Sequence, residues 1–238
     1  MQILNENSWF LKYSPSYEYK KTIIINNVND RTYIERLLEE IIKKKFSNVN
    51  YFFVEDFEKI SIKNFNLEID KNQTLGYYYI IPYFTLIDYL DSEYIFHISE
   101  DCTKNIFFDD NFVKSSIDSL NKNPNLLSTT LSFGLPKQSF GYDVGEWEQI
   151  ESFRYKNLEI KNDNYFWYSL GFSDQVFVAK TNLLKKIDYN LETRENPICF
   201  GTTYCPDSWE RRVAEYMYQN NLYRGIWKNS EHYYLHGK

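Results

Sequence analysis

Two apolar runs in this chain end abruptly in acid. "VNYFFVEDF" at 49–57 delivers Glu55 and Asp56, and "SEYIFHISEDCTKN" at 92–105 delivers Ser99, Glu100 and Asp101 directly after Tyr94, Ile95, Phe96 and Ile98. In an open parallel sheet, ligands gather beyond the carboxyl ends of the strands. Carboxylates delivered there can hold ribose hydroxyls or a hard divalent cation such as Mg²⁺ or Mn²⁺. The competing reading, solvated acids that begin a loop, fits either pair alone better than it fits both. A third constellation lies near the C-terminus, where "DSWERR" (207–212) places Asp207 and Glu210 beside Arg211 and Arg212. It reads in two ways: as carboxylates placed for proton transfer, or as a helix start with Asp207 as N-cap and Glu210 reaching back from the third position.

The elements that must position these residues alternate. "TIIINN" (22–27) is a continuous β-branched run, the mark of a strand covered on both faces. Ile34, Leu37, Leu38, Ile41 and Ile42 then form one helical stripe, with Thr32 and Glu35 spaced as a capping box. The "VNYFFVEDF" run completes a strand–helix–strand signature of a parallel sheet with a right-handed crossover. The basic run "KKK" at 43–45 suits the C-terminus of the helix between these strands. "GYYYIIPYFTLIDYL" (76–90) predicts a helix that Pro82 either starts or kinks. A helix at about 109–121, a strand at 125–133, strands at 165–170 and 174–180, and a last amphipathic helix at about 208–221 follow. Between them, 134–165 is a polar stretch punctuated by Gly134, Pro136, Gly141 and Gly145, and it holds Trp147. No repeat, low-complexity tract or dividing linker is visible, so the expectation is one α/β domain.

Bulk properties narrow the partners. A net charge of −6 argues against nucleic acid, which needs clustered Lys and Arg. The 22 Tyr among 19% aromatics suit sugar and base contacts as well as core filling. Cys102, Cys199 and Cys205 form no CxxC pair and read as reduced thiols of a cytoplasmic protein, and the N-terminal "MQILNENSWFLKYSPSYEYKK" carries no apolar signal core. The longest apolar run, "YYYIIPYF" at 77–84, is too short to span a bilayer.

In their order, these segments resemble the nucleotide-sugar glycosyltransferases of the GT-A fold, most closely the family-2-like group. "TIIINN" is similar to the first nucleotide-binding strand, and "YFFVEDF" to the strand whose terminal acid contacts base or ribose. "GYYYIIPYFTLIDYLDSEYIFHISED" resembles the helix and strand leading to the DxD motif. "GFSDQVFVAKTNLLKKID" resembles the acceptor-side strand, and "DSWERRVAEYMYQNNLYRGIW" the helix carrying the catalytic acid. The likeness covers roughly residues 20–236. It implies a Rossmann-like, mixed and mainly parallel sheet flanked by helices, with 20–133 as the nucleotide-sugar half and 134–238 as the acceptor half.

The resemblance also implies roles. Asn26, Asn27, Arg31, Glu55, Asp56, Ser99, Glu100, Asp101 and Arg211 would face the nucleotide sugar. Asp101 would ligate Mn²⁺ or Mg²⁺, with His236 as a further ligand. Glu210, then Asp207, would be the catalytic base, and Trp147 and Asp174 would meet a glycan or glycoconjugate acceptor. Arg211, Arg212, Arg224 or Lys238 would add positive charge at the phosphates. The family pattern is broken at Ser99, which stands where the first acid of Asp-x-Asp would be. His97, within the strand, reads as packed and hydrogen-bonded. Two other readings stay open: a nucleotidyltransferase, disfavoured because "NNVNDRTY" lacks a glycine-rich phosphate loop, and a non-catalytic carbohydrate-binding or assembly protein of the same fold.

Overall fold

The computed structural model describes residues 19–45, 49–69, 71, 76–99, 102, 110–133, 161–191, 208–229 and 233–234. The chain falls into two compact units, Met1–Tyr89 and Leu90–Lys238.

In the first unit, strands β1 (Lys21–Ile25) and β2 (Val49–Phe53) pair in parallel, from Lys21 opposite Val49 to Ile25 opposite Phe53. Helix α1 (Arg31–Lys45) makes the crossover between them. Successive β-strand side chains point to opposite faces, and here both faces are covered. Ile23, Ile25 and Phe53 meet Ile34 and Leu38 of α1 on one side. Phe52, Val54, Tyr77 and Ile81 cluster on the other, with Ile24 packed against them. That is the physical reason for the uninterrupted "TIIINN" run. The start of α1 differs from expectation: Asp30 caps it, its Oδ1 accepting from the Tyr33 N–H at 2.9 Å. Glu35 instead takes an ion pair from Arg31 at 3.0 Å.

After β2 the chain winds through a 3₁₀ turn (Val54–Asp56) into helix α2 (Glu58–Asn64), which the sequence reading did not anticipate. Helix α3 (Tyr77–Tyr89) contains Pro82 in its interior. A proline there removes the N–H that would serve the carbonyl four residues back. That carbonyl belongs to Tyr78, and the Asn26 Nδ2 donates to it at 2.6 Å.

The second unit holds a five-stranded sheet in the order β3-β7-β4-β8-β6, where β3 is Tyr94–Ile98, β4 Leu126–Thr130, β6 Phe166–Ser169, β7 Val176–Lys180 and β8 Tyr223–Trp227. Short strands β5 (Ser132–Phe133) and β9 (Tyr233–Tyr234) pair separately in parallel. The sheet is mixed, but it is not mainly parallel as the resemblance implied. Only β4–β8 is parallel in it, while β3–β7, β4–β7 and β6–β8 are antiparallel. The reversal arises because β7, from late in the chain, inserts between β3 and β4. Among the described residues the two acid-ended strands have different partners: β2 pairs with β1, and β3 with β7.

Helix α4 (Asp110–Lys122) lies over β4 and β7, and every residue of β4 is buried. A short helix α5 (Thr181–Leu184) follows β7, and helix α6 (Trp209–Asn220) precedes β8. Asn221 closes α6 in the left-handed conformation (φ 51°), its N–H returning to the Met217 carbonyl. "YRGIW", within the stretch that resembles the helix carrying the catalytic acid, forms β8, an interior strand of the sheet. Gly225 in it is required by close approach, because a Cβ there would sit 3.1 Å from Phe166 and 3.2 Å from Thr129. No helix among the described residues is long and apolar enough to cross a membrane.

Candidate functional site

Two groups of the sequence-identified residues assemble, one in each unit. In the first, the carboxyl ends of β1 and β2 bring together Asn26, Asn27, Arg31, Glu55 and Asp56. Asn27 turns the chain with φ 56°, and its N–H donates to Glu55 Oε1 at 2.9 Å. Arg31 forms a fork with both Asp56 oxygens, each at 2.7 Å, and its guanidinium lies 4.1 Å over the Phe53 ring. The guanidinium hydrogen bonds hold the Asp56 carboxyl below its ordinary range, and the Arg31 pKa rises in return. Two of the acids expected to meet a nucleotide therefore also brace the loop that follows β1. The Arg31 and Asp56 side chains remain 48% and 42% exposed, which leaves this pair open to a ligand.

The second group is built where β3 ends and β7 begins. Antiparallel pairing sets Ile98 opposite Val176, and the ladder continues with the Ser99 N–H donating to the Gln175 carbonyl at 2.7 Å. The loop before β7, holding Asp174 and Gln175, is thus laid across the end of β3. The Ser99 hydroxyl donates to the Asp174 carbonyl at 3.3 Å and lies 3.2 Å from His97 Nε2. His97 packs against Phe177, rings 5.1 Å apart, and burial lowers its pKa to about 4, so the imidazole is neutral at pH 7. Cys102, buried and reduced, donates its thiol to Gln175 Oε1 at 3.1 Å. That bond turns the Gln175 amide so that its Nε2 donates to Asp174 Oδ1 at 3.3 Å.

Glu210 reaches this loop from α6. The helix is anchored by Trp209, 1% exposed, whose indole packs on Phe172 (5.1 Å) and Phe177 (5.6 Å). The N-cap is Ser208, whose hydroxyl accepts from the Arg211 N–H. Glu210 therefore stands at the second helical position and not at the third, while Asp207 lies outside the described residues. Freed from capping, the Glu210 carboxylate accepts the Asp174 backbone N–H. Desolvation raises its pKa to about 8, with a further push from the Asp174 charge, opposed by Arg224, the Asp174 N–H and Arg211. The side chain nonetheless keeps part of its surface open to solvent. A carboxyl that exchanges its proton near neutrality, at a solvent-reached position beside two guanidiniums, is equipped for general acid–base chemistry.

Ser99, Asp174, Glu210 and Arg211 thus come together, joined by His97, Cys102, Gln175 and Arg224. Cys102 and Gln175 were not singled out as site residues in the sequence. The "SDQ" before an apolar strand is the signal for Gln175. Asp207, Glu100, Asp101, Trp147 and His236 lie outside the described residues, as do Cys199 and Cys205. Among the described residues no group of three His, Cys, Asp or Glu side chains could hold a metal ion.

No family model, curated protein or solved structure matches the chain. A functional reading consequently rests on the chemistry of these side chains.

Proposed function

We propose that the chain is a glycosyltransferase that moves a sugar from a nucleoside-diphosphate sugar to a hydroxyl of a glycan or glycoconjugate. The observation that carries this reading is the Glu210 carboxyl, held by the Asp174 N–H at a partly open position, where burial pushes its pKa up to about 8. In the reaction the acceptor oxygen bonds to the anomeric carbon as its proton passes to Glu210. The bond from that carbon to the diphosphate breaks, and the diphosphate leaves. A base on the acceptor side implies inversion. Arg211 and Arg224 would stabilise negative charge developing at the site.

A divalent cation, when bound, would supply Lewis-acid neutralisation of the diphosphate, with Asp101 and His236 as the residues to hold it. Taken within the first unit by itself, the exposed Arg31–Asp56 pair and the Asn26–Asn27 turn are candidates for contact with a nucleotide. A thermal-shift screen of nucleoside-diphosphate sugars with and without Mn²⁺ tests the reading, since a ligand at 100 times its Kd stabilises by about 2.7 kcal/mol. A rise for one nucleotide class, larger with Mn²⁺, is expected. No shift with any nucleotide would remove the reading and leave a glycan-binding role.

A further inference from the structure

We infer that Ser99 is a positioning residue that ties the end of β3 to the loop holding Glu210, and does not act as a metal ligand. The inference rests on the reading of Glu210 as base, and it follows from the polarity of one hydrogen-bond chain. The Asp174 carbonyl can only accept, and the Ser99 hydroxyl donates its single proton to it at 3.3 Å. The bond between Ser99 and His97, at 3.2 Å, must then run the other way, from imidazole to hydroxyl oxygen. His97 is therefore the tautomer with hydrogen on Nε2. On the far side of the same residue, the Asp174 N–H donates to the Glu210 carboxylate. The chain His97–Ser99–Asp174–Glu210 links β3, the loop and α6.

A serine fits this duty where an acid does not. An ionised carboxylate at position 99 would be acceptor-only, and it would face the Asp174 carbonyl with no proton to offer. The break in the Asp-x-Asp pattern at Ser99 is in this account a replacement of function, with the position used to set the base. Around Glu210 the charged groups are Asp174 from the loop, Arg224 from β8 and Arg211 from its own helix. Loosening the loop withdraws the one hydrogen bond among them that favours the carboxylate.

The test begins with the unmodified protein, labelled with ¹⁵N-histidine, in long-range ¹H–¹⁵N correlation spectra at pH 7, with His97→Asn identifying the signal. A neutral ring protonated at Nε2 is expected. A ring protonated at Nδ1, or a cationic ring, overturns the inference whatever the protein catalyses.

Ser99→Ala is then expected to lower kcat about tenfold, the size of one lost hydrogen bond at about 1.4 kcal/mol. Donor KM and the Mn²⁺ requirement should stay unchanged, and Ser99→Thr, which keeps the hydroxyl, should restore kcat. In ¹³C spectra of the Glu210 carboxyl, Ser99→Ala should move the titration upward and Ser99→Thr should not. Weaker Mn²⁺ binding in Ser99→Ala, or tighter Mn²⁺ binding and faster turnover in Ser99→Asp, would make Ser99 a metal ligand and overturn the inference. If the wild type transfers no sugar, the function falls, while the histidine and carboxyl spectra still decide the role of Ser99.

Discussion

Replacing Glu210 by Gln should make the protein progressively more stable than wild type as pH rises. Glutamine keeps the shape and the acceptor oxygen that receives the Asp174 N–H, but it carries no titrating proton. In the folded chain burial raises the Glu210 pKa from its ordinary 4.5 to about 8. Between those values the folded state retains a proton that the unfolded state has released. Stability therefore falls with pH across that window, and the loss is complete above pH 8. At about 1.36 kcal/mol per pH unit, the penalty that grows between pH 5 and pH 8 has an upper limit of about 3.5 kcal/mol. Partial solvent access to the side chain screens this, so a gain of about 2 kcal/mol for Glu210→Gln over wild type is the expected size. Urea unfolding of both proteins at pH 5, 6, 7 and 8 measures it, with unchanged m-values as the check on two-state behaviour. A difference that stays constant within about 0.5 kcal/mol from pH 5 to pH 8 would refute the burial of this carboxyl and the base assignment built on it.

Arg224→Met should move the Glu210 titration further up, because it removes a charge that favours the carboxylate, and an unchanged midpoint by NMR would contradict that. Trp209→Ala should cost about 3–5 kcal/mol by denaturant unfolding, since it empties a fully buried indole site next to Glu210 in the chain. Asn26→Ala should cost about 1 kcal/mol by orphaning the Tyr78 carbonyl. In a Pro82→Ala background the restored helix N–H should reduce that cost to near zero, and equal costs in both backgrounds would dismiss the link. Gly225→Ala should destabilise by about 1–3 kcal/mol through overpacking against Phe166 and Thr129, read as a lower urea midpoint.

What the sequence made legible follows from local rules. The βαβ unit was visible because β1 and β2 are covered on both faces and α1 carries a single stripe, so periodicity alone reports them. Helix α3 was legible despite Pro82, although its rescue by Asn26 is a contact over 52 residues that no pattern announces. The larger sheet was harder. Its strands were mostly found, but strand direction is set by long-range pairing, and β7 enters between β3 and β4 from far along the chain. β8 was missed because Gly225, which reads as a break, is demanded by the neighbouring Phe166 ring. At the site, Glu210 is indicated by the resemblance, but its juxtaposition with Asp174 depends on α6 packing through Trp209 on Phe172 and Phe177, which no local pattern announces. The cap falls one residue later than the Asp207 reading because the Ser208 hydroxyl accepts from the Arg211 N–H.

The central claim is that Glu210 accepts the acceptor's proton in glycosyl transfer. The direct measurement is steady-state release of nucleoside diphosphate from the nucleotide sugar that stabilises the chain, with Mn²⁺ and acceptor present, comparing wild type with Glu210→Gln. A loss of about 10²–10⁴ in kcat with donor binding retained is predicted, as expected for a general base. Turnover by Glu210→Gln within about threefold of wild type, well short of a general base's contribution, would contradict the account.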